Sequence, residues 1–221
     1  MAIVKTVFDV SSLALNAADV FAFLNANKSG WFDSVTQDAS GNITCTADGV
    51  DCLNFGFDNA KSNIIITAAN NTTVHDTATN YHWEYGYITS KGIMLYSKRQ
   101  VTNVVARDIS VFITKNDSGD IAIVSIWDGY SSSQMDFVVA DILNSGVTII
   151  YEGGGLHSGG SASIIMPSGV TTFTPIALTT GGTSYTPDLF FTLFSQYRFT
   201  PSVLTIGGTQ YVYDGRIALR E

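Results

Sequence analysis

Charge is scarce in this chain. Asp, Glu, Lys and Arg make up 14% of its 221 residues, against about a quarter in ordinary soluble domains. Glutamate occurs only at Glu84, Glu152 and Glu221, and histidine only at His75, His82 and His157. That leaves a small pool for a paired-carboxylate or histidine-based active site. Cysteine is limited to Cys45 and Cys52, too few for a structural zinc centre, which takes about four ligands. The chain has 4 prolines and no linker-like tract. It therefore reads as one β-rich domain over residues 1–221. A boundary, if present, falls in the glycine-rich stretch 152–161 or near Thr200-Pro201. Long apolar runs are missing, so no segment is expected to span a membrane. The start, Met1 to Asp9, lacks the basic region, apolar stretch and cleavage site of a secretory signal. Synthesis and folding in a cytoplasm are expected. Basic runs are missing too. With a net charge of −8, the chain repels phosphate, and stable nucleic-acid binding is not expected.

The known catalytic signatures are also absent. There is no G-x-S-x-G nucleophile elbow. Gly153-Gly154-Gly155 lacks the Gly-Lys-Ser/Thr ending of a phosphate loop. Asn116-Asp117-Ser118-Gly119-Asp120 has calcium-loop composition without the ligand spacing or the distal Glu, and reads as a polar turn. His82 sits in the aromatic run Tyr81-His82-Trp83-Glu84-Tyr85 and reads as a strand residue; His157 reads as an exposed loop residue. No enzyme activity, cofactor or metal is expected. A hydrolase built on Glu84 and Glu152 is the least favoured alternative.

What is present is a dense set of strand and turn signals. One short helix is expected after an extended arm (residues 1–10), with Asn16 as its cap, Asp19 in its first turn, and Val20, Phe23 and Leu24 on one face. From Trp31 onward hairpins dominate. Asp48-Gly49 is a two-residue turn that places Cys45 opposite Cys52; a cytoplasmic setting favours free thiols over a bridge. Two further hairpins are expected at 81–98 and 109–127, and strands at 63–68, 137–142 and 147–151. Residues 69–76 and 181–185 read as loops. The clearest part is 202–220, where Gly207-Gly208 and Asp214-Gly215 join three five-residue strands into a meander. The fold class is mostly β: an antiparallel sandwich or barrel-like arrangement with one short N-terminal helix and a C-terminal three-stranded meander.

Two candidate surfaces follow. Ile121, Ile123, Val124, Ile126 and Trp127 lie in a strand apolar on both faces. Such a strand needs cover on both sides, as a central strand or as an edge buried by another subunit. Val203, Val212 and Ile217 align across the meander, where both rows are packable. These eight residues are the candidate assembly interface. Strict alternation projects Tyr81, Trp83, Tyr85 and Tyr87 from one face of a strand. That row is a core or interface face, or else a platform for stacking on sugar rings.

The C-terminal segments Phe190-Phe191-Thr192-Leu193-Phe194-Ser195, Val203-Leu204-Thr205-Ile206-Gly207-Gly208-Thr209-Gln210-Tyr211 and Gly215-Arg216-Ile217-Ala218-Leu219-Arg220 resemble the ends of small structural proteins of tailed bacteriophages. The low charge and Thr/Asn/Gly-rich strands share that style. The resemblance implies a virion component made in a bacterial cytoplasm. It would be built into the tail, neck or collar, or baseplate by contacts with copies of itself and with other virion proteins. A capsid-decorating protein and a carbohydrate- or receptor-binding module are the alternatives, the latter with a glycan or receptor as partner.

Overall fold

The computed structural model describes residues 2–58, 61–68, 71–75, 81–99, 108–115, 121–128, 135–143, 146–153, 162–164, 174–175, 178–180, 183–185, 188–191, 200–214 and 217–221. Strand β1 (Val4–Val7) precedes helix α1 (Leu13–Ala26). Next come β2 (Ser34–Gln37), β3 (Ile43–Ala47), β4 (Val50–Asp58), β5 (Lys61–Ala68) and β6 (Asn71–His75), which pair in that order as an N-terminal sheet. A central sheet follows: β7 (Tyr81–Ile88), β8 (Gly92–Arg99), β9 (Asp108–Lys115), β10 (Ile121–Asp128), β11 (Met135–Leu143) and β12 (Gly146–Gly153), with β1 added at the β7 edge. The rest of the chain forms β13 (Ala162–Ile164), β14 (Thr174–Pro175), β15 (Leu178–Thr180), β16 (Thr183–Tyr185), β17 (Leu189–Phe191), β18 (Ser202–Ile206), β19 (Thr209–Tyr213) and β20 (Ile217–Arg220). Strands β13, β15 and β16 make a small sheet, and the C-terminal sheet runs β14-β17-β20-β19-β18. The fold is mostly β with one helix, and its sheets are open rather than closed into a barrel.

Helix α1 starts earlier than Asn16. Ser12 is its cap, with Oγ accepting from the Leu15 N–H at 3.2 Å. Asn16 lies inside the helix, fully buried, and works on another element. Its Oδ1 accepts from the Trp83 N–H at 2.9 Å, while its Nδ2 donates to the Trp83 carbonyl at 2.7 Å and to the Asp9 carbonyl at 2.9 Å. Strand β1 pairs with β7 only as far as Val7–Tyr85, and the Phe8 N–H then donates to the Glu84 carbonyl at 3.0 Å. Where the arm leaves the sheet, the Asn16 amide continues the ladder as a one-residue substitute for a strand. Asp19 does not serve the helix terminus; its Oδ2 accepts from the Asp9 N–H at 2.7 Å and pins the arm to the helix.

Strands β7, β8 and β9 of the central sheet are covered on both faces from within the chain. On one face Trp83, Ile93, Leu95, Val111 and Ile113 join Phe23 and Leu24 of α1 and Ile43, Leu53 and Phe55 of the N-terminal sheet in one core. Trp83 meets Phe55 edge-on, with ring centroids 5.4 Å apart. On the other face Tyr87, Met94, Tyr96 and Phe112 are buried as well. The C-terminal sheet approaches this side: the Tyr87 hydroxyl donates to the Pro201 carbonyl at 2.8 Å, and the Thr89 hydroxyl to the Arg220 carbonyl at 2.9 Å. Two glycines permit these close layers. A Cβ on Gly86 would lie 2.6 Å from Phe23 Cζ and 2.7 Å from Phe8 Cζ. On Gly92 it would lie 2.5 Å from the Ile113 carbonyl oxygen.

Several expectations hold and some need correction. The hairpins at 81–98 and 109–127 form, with Ile88 opposite Ile93 and Lys115 opposite Ile121. Asp48 (φ 51°) and Gly49 (φ 75°) form the expected turn, as its two positive φ values require. Residues 71–75 are a strand rather than a loop, and so are 183–185; Thr72, Thr73 and Val74 are β-branched, which offsets their polarity. The glycine-rich segment 154–161, with His157, lies outside the described residues. The register at the second meander turn also differs from expectation: the Asp214 N–H donates to the Ile217 carbonyl at 3.1 Å. Asp214 is buried and precedes the turn instead of forming it: its Oδ1 accepts from the Ile217 N–H at 2.8 Å. Tyr213 therefore faces Ala218 and Val212 faces Leu219. The slip is two residues, so each side chain stays on its expected face.

Asn16→Ala leaves the buried Trp83 N–H and carbonyl without partners, at about 1–3 kcal/mol for each group. Its thermal or denaturant midpoint should fall well below that of Ser12→Ala, which loses a cap worth about 1 kcal/mol. Gly92→Ala should destabilise by about 1–3 kcal/mol, because its methyl meets backbone that cannot yield.

Candidate functional site

The tyrosine–tryptophan row of β7 is not one face. Trp83 pairs with Ser97 and Tyr85 with Tyr96, so Glu84 is an extra residue in a β-bulge. A bulge breaks the two-residue period. Trp83 therefore turns into the core shared with α1, while Tyr85 and Tyr87 turn to the opposite side of the sheet. The side chain of Tyr81 lies outside the described residues. Tyr87 is buried. Tyr85 is half-exposed, but its ring stacks on Tyr96 at 6.0 Å and 14°, and Lys5 Nζ sits 3.9 Å from its centroid. These contacts tie Tyr85 to the protein's own groups. Lys5, which no motif singles out, thereby ties the β1 arm to this cluster by a cation–π contact.

The eight residues expected at an assembly interface separate into three groups. Ile121, Ile123, Val124, Ile126 and Trp127 lie on β10, which runs between β9 and β11 and is a central strand rather than an edge; their side chains are outside the described residues. Val212 and Ile217 are buried within the chain by its own layers. Only Val203 is exposed, at 42%. In β8 and β9, apolar side chains on both faces are covered by the same chain. Among the described residues, four of the six exposed large apolar side chains sit on edge strands. Val4 (52% exposed) and Val7 (67%) are on the edge strand β1, near exposed Val10 and Leu15. Val203 and Ile206 (44%) are on the edge strand β18.

Chemistry-bearing groups are few and mostly committed. Among the described residues no three His, Cys, Asp or Glu side chains cluster as a metal site. No described helix is long and apolar enough to cross a membrane. Asp188 pairs with Arg220 and, at 3.9 Å, with Lys91, joining the β7–β8 turn to the C-terminal sheet. An open groove of about 530 Å³ lies between Ala14, Ala17 and Ala18 of α1 and the loop 38–41. Its one carboxylate, Asp38, is held below the usual range by hydrogen bonds from Asn42, and those bonds with that from the Ser40 N–H serve to fold its own loop.

The two cysteines are free and fully buried. A second bulge sets Cys45 opposite Leu53 and leaves Cys52 as the extra residue, so the direct cross-strand pairing does not form. The Cys52 thiol donates to the Cys45 carbonyl at 3.2 Å. Burial raises both thiols, Cys52 to about 12. Burial, reinforced by nearby Tyr85, raises the Tyr87 phenol to about 12.

In the native state neither thiol should react with a thiol-specific disulfide reagent at neutral pH, and both should react at once in denaturant. Thiols and phenols ionise near 8.5 and 10 in the unfolded chain. The raised values in the folded chain make ionisation favour unfolding. Stability is then intact below about pH 8.5 and lost as pH climbs toward 12. Tyr87→Phe should flatten the upper part of that decline in a pH series of urea melts.

No family model, curated protein or solved structure matches the chain.

Proposed function

We propose that this chain is a non-enzymatic building block of a larger assembly, a structural component of a tailed-phage virion in the tail, neck or baseplate. The observation that carries the reading is the location of exposed apolar side chains. Val4 and Val7 stand on one sheet edge and Val203 and Ile206 on another. An edge carries unpaired backbone donors and acceptors, so apolar residues there favour association with another chain. The chain carries −8 overall, but the β18 edge holds no charged side chain, so copies can meet there without local like-charge contact. The sequence resemblance to phage structural proteins supplies the kind of assembly. Asp38 and Asp188 are engaged in loop and inter-sheet contacts. The sugar-binding alternative is less favoured, because Trp83 and Tyr87 are buried and Lys5 and Tyr96 contact Tyr85.

Quantitative mass spectrometry on density-purified particles of the phage that encodes the chain should find it at a fixed copy number per particle. A chain that is expressed during infection but absent from purified particles would overturn the virion assignment.

A further inference from the structure

The sheet edges of this protein are not equally protected. Natural proteins blunt edges with short strands, lysine, proline or bulges. At the far side of the C-terminal sheet, edge strand β14 is two residues long and contains Pro175. Edge strand β1 has four residues and carries Lys5. At the other end of the central sheet, β12 pairs with β11 through a register shift. Strand β18 has none of these devices, a feature it shares with β6 (Asn71–His75), but β18 alone of the two has described side chains, and Val203 and Ile206 among them are exposed. Its five residues pair with β19 without interruption from Ser202–Tyr213 to Ile206–Thr209. It contains no proline and no charge.

The geometry of the hairpin defines what β18 presents. Gly207 (φ 58°) and Gly208 (φ 84°) form a two-residue turn. In such a hairpin the residues flanking the turn, here Ile206 and Thr209, exchange hydrogen bonds, and the pattern alternates from there. Ser202, Leu204 and Ile206 bond inward to β19. Val203 and Thr205 aim their N–H and C=O groups outward, beside exposed side chains on both faces of the strand.

Charge selects the occupant. The chain carries −8 overall, yet no charged residue lies between Thr200 and Tyr213. Two copies meeting at β18 bring no like charges into contact there, whereas the β1 edge sets one Lys5 near another. We infer that β18 is a self-pairing edge, at which two copies of this chain join antiparallel about a two-fold axis. The inference rests on the assembly reading above and names the contact it would use. With the axis at Leu204, Val203 faces Thr205 of the partner subunit in hydrogen-bonded pairs. Residues two apart in a strand share a face, so this register keeps the faces of both sheets aligned. The two five-stranded sheets become one of ten.

The test is sedimentation and light scattering on the full chain over a concentration series. It compares wild type with Thr205→Pro, which deletes an outward N–H and spares the bonds to β19, and with Val203→Lys. Val7→Lys on β1 is the control. The expected result is a reversible dimer for wild type and Val7→Lys, with the dissociation constant raised about tenfold or more in both β18 variants. An unchanged dimer in the β18 variants, or loss of the dimer in Val7→Lys alone, overturns the self-pairing edge and leaves the assembly reading standing. A wild type monomeric at every concentration also overturns it, while the particle measurement decides the assembly reading separately. Should the variants misfold, hydrogen exchange on wild type replaces them. The Val203 and Thr205 amides gain protection with concentration if the edge pairs, and exchange freely throughout if it does not.

Discussion

The fold depends on a side-chain amide standing in for a strand. Asn16 offers one acceptor and one donor to the N–H and carbonyl of Trp83, at the point where the β1 arm leaves β7. Without it, two buried backbone groups beside a bulge would have no partner. The contact does three things at once. It docks α1 onto the central sheet, stabilises the bulge at Glu84, and fixes Trp83 on the core side. A hydrophobic helix face could slide over a sheet; a bidentate amide cannot, because its donor and acceptor are matched to one residue. Phe8 and Phe23 then close in an edge-on pair, with centroids 5.4 Å apart, over the space that Gly86 leaves empty.

From this anchor the layers follow. The helix and the N-terminal sheet cover one face of the central sheet, and the C-terminal sheet lies against the other. The second contact is fastened by polar bonds at its rim: Tyr87 to Pro201, Thr89 to Arg220, and the Asp188–Arg220–Lys91 group. The first two of these bonds join residues more than 100 positions apart in the chain. They hold the C-terminal hairpin so that its inner strands are buried and its last strand, β18, overhangs. What is buried and what is available for partners is therefore set by the stacking order, not by how apolar each strand is.

Much of the architecture was legible because hairpin signals are local. Asp48-Gly49 and Gly207-Gly208 supply positive φ at adjacent positions, and that alone dictates a two-residue turn. The runs around 81–98 and 109–127 carry the strand propensity of β-branched and aromatic residues. Two of the errors share one cause. Both bulges, at Glu84 and Cys52, add a residue that no propensity marks, and each shifts every inference that counted alternation across it. The aromatic platform and the facing cysteines both rested on such counting. Asn16 was misplaced for a related reason: Asn is a good helix cap, and nothing near it in sequence tells of Trp83, 67 residues away.

The sequence by itself determined the strand-rich class, the single N-terminal helix and the meander, because these follow from side-chain branching, helical periodicity and turn chemistry over a few residues. It also limited the chemistry, since three histidines and three glutamates leave little to assemble. Only the tertiary structure decided which side each strand shows to which neighbour. That depends on contacts between distant residues, where one bulge or one buried amide reverses the outcome. Val212 and Val203 have the same side chain and face each other across a hairpin. One is buried and the other half-open to solvent because only one of them has a strand on its far side.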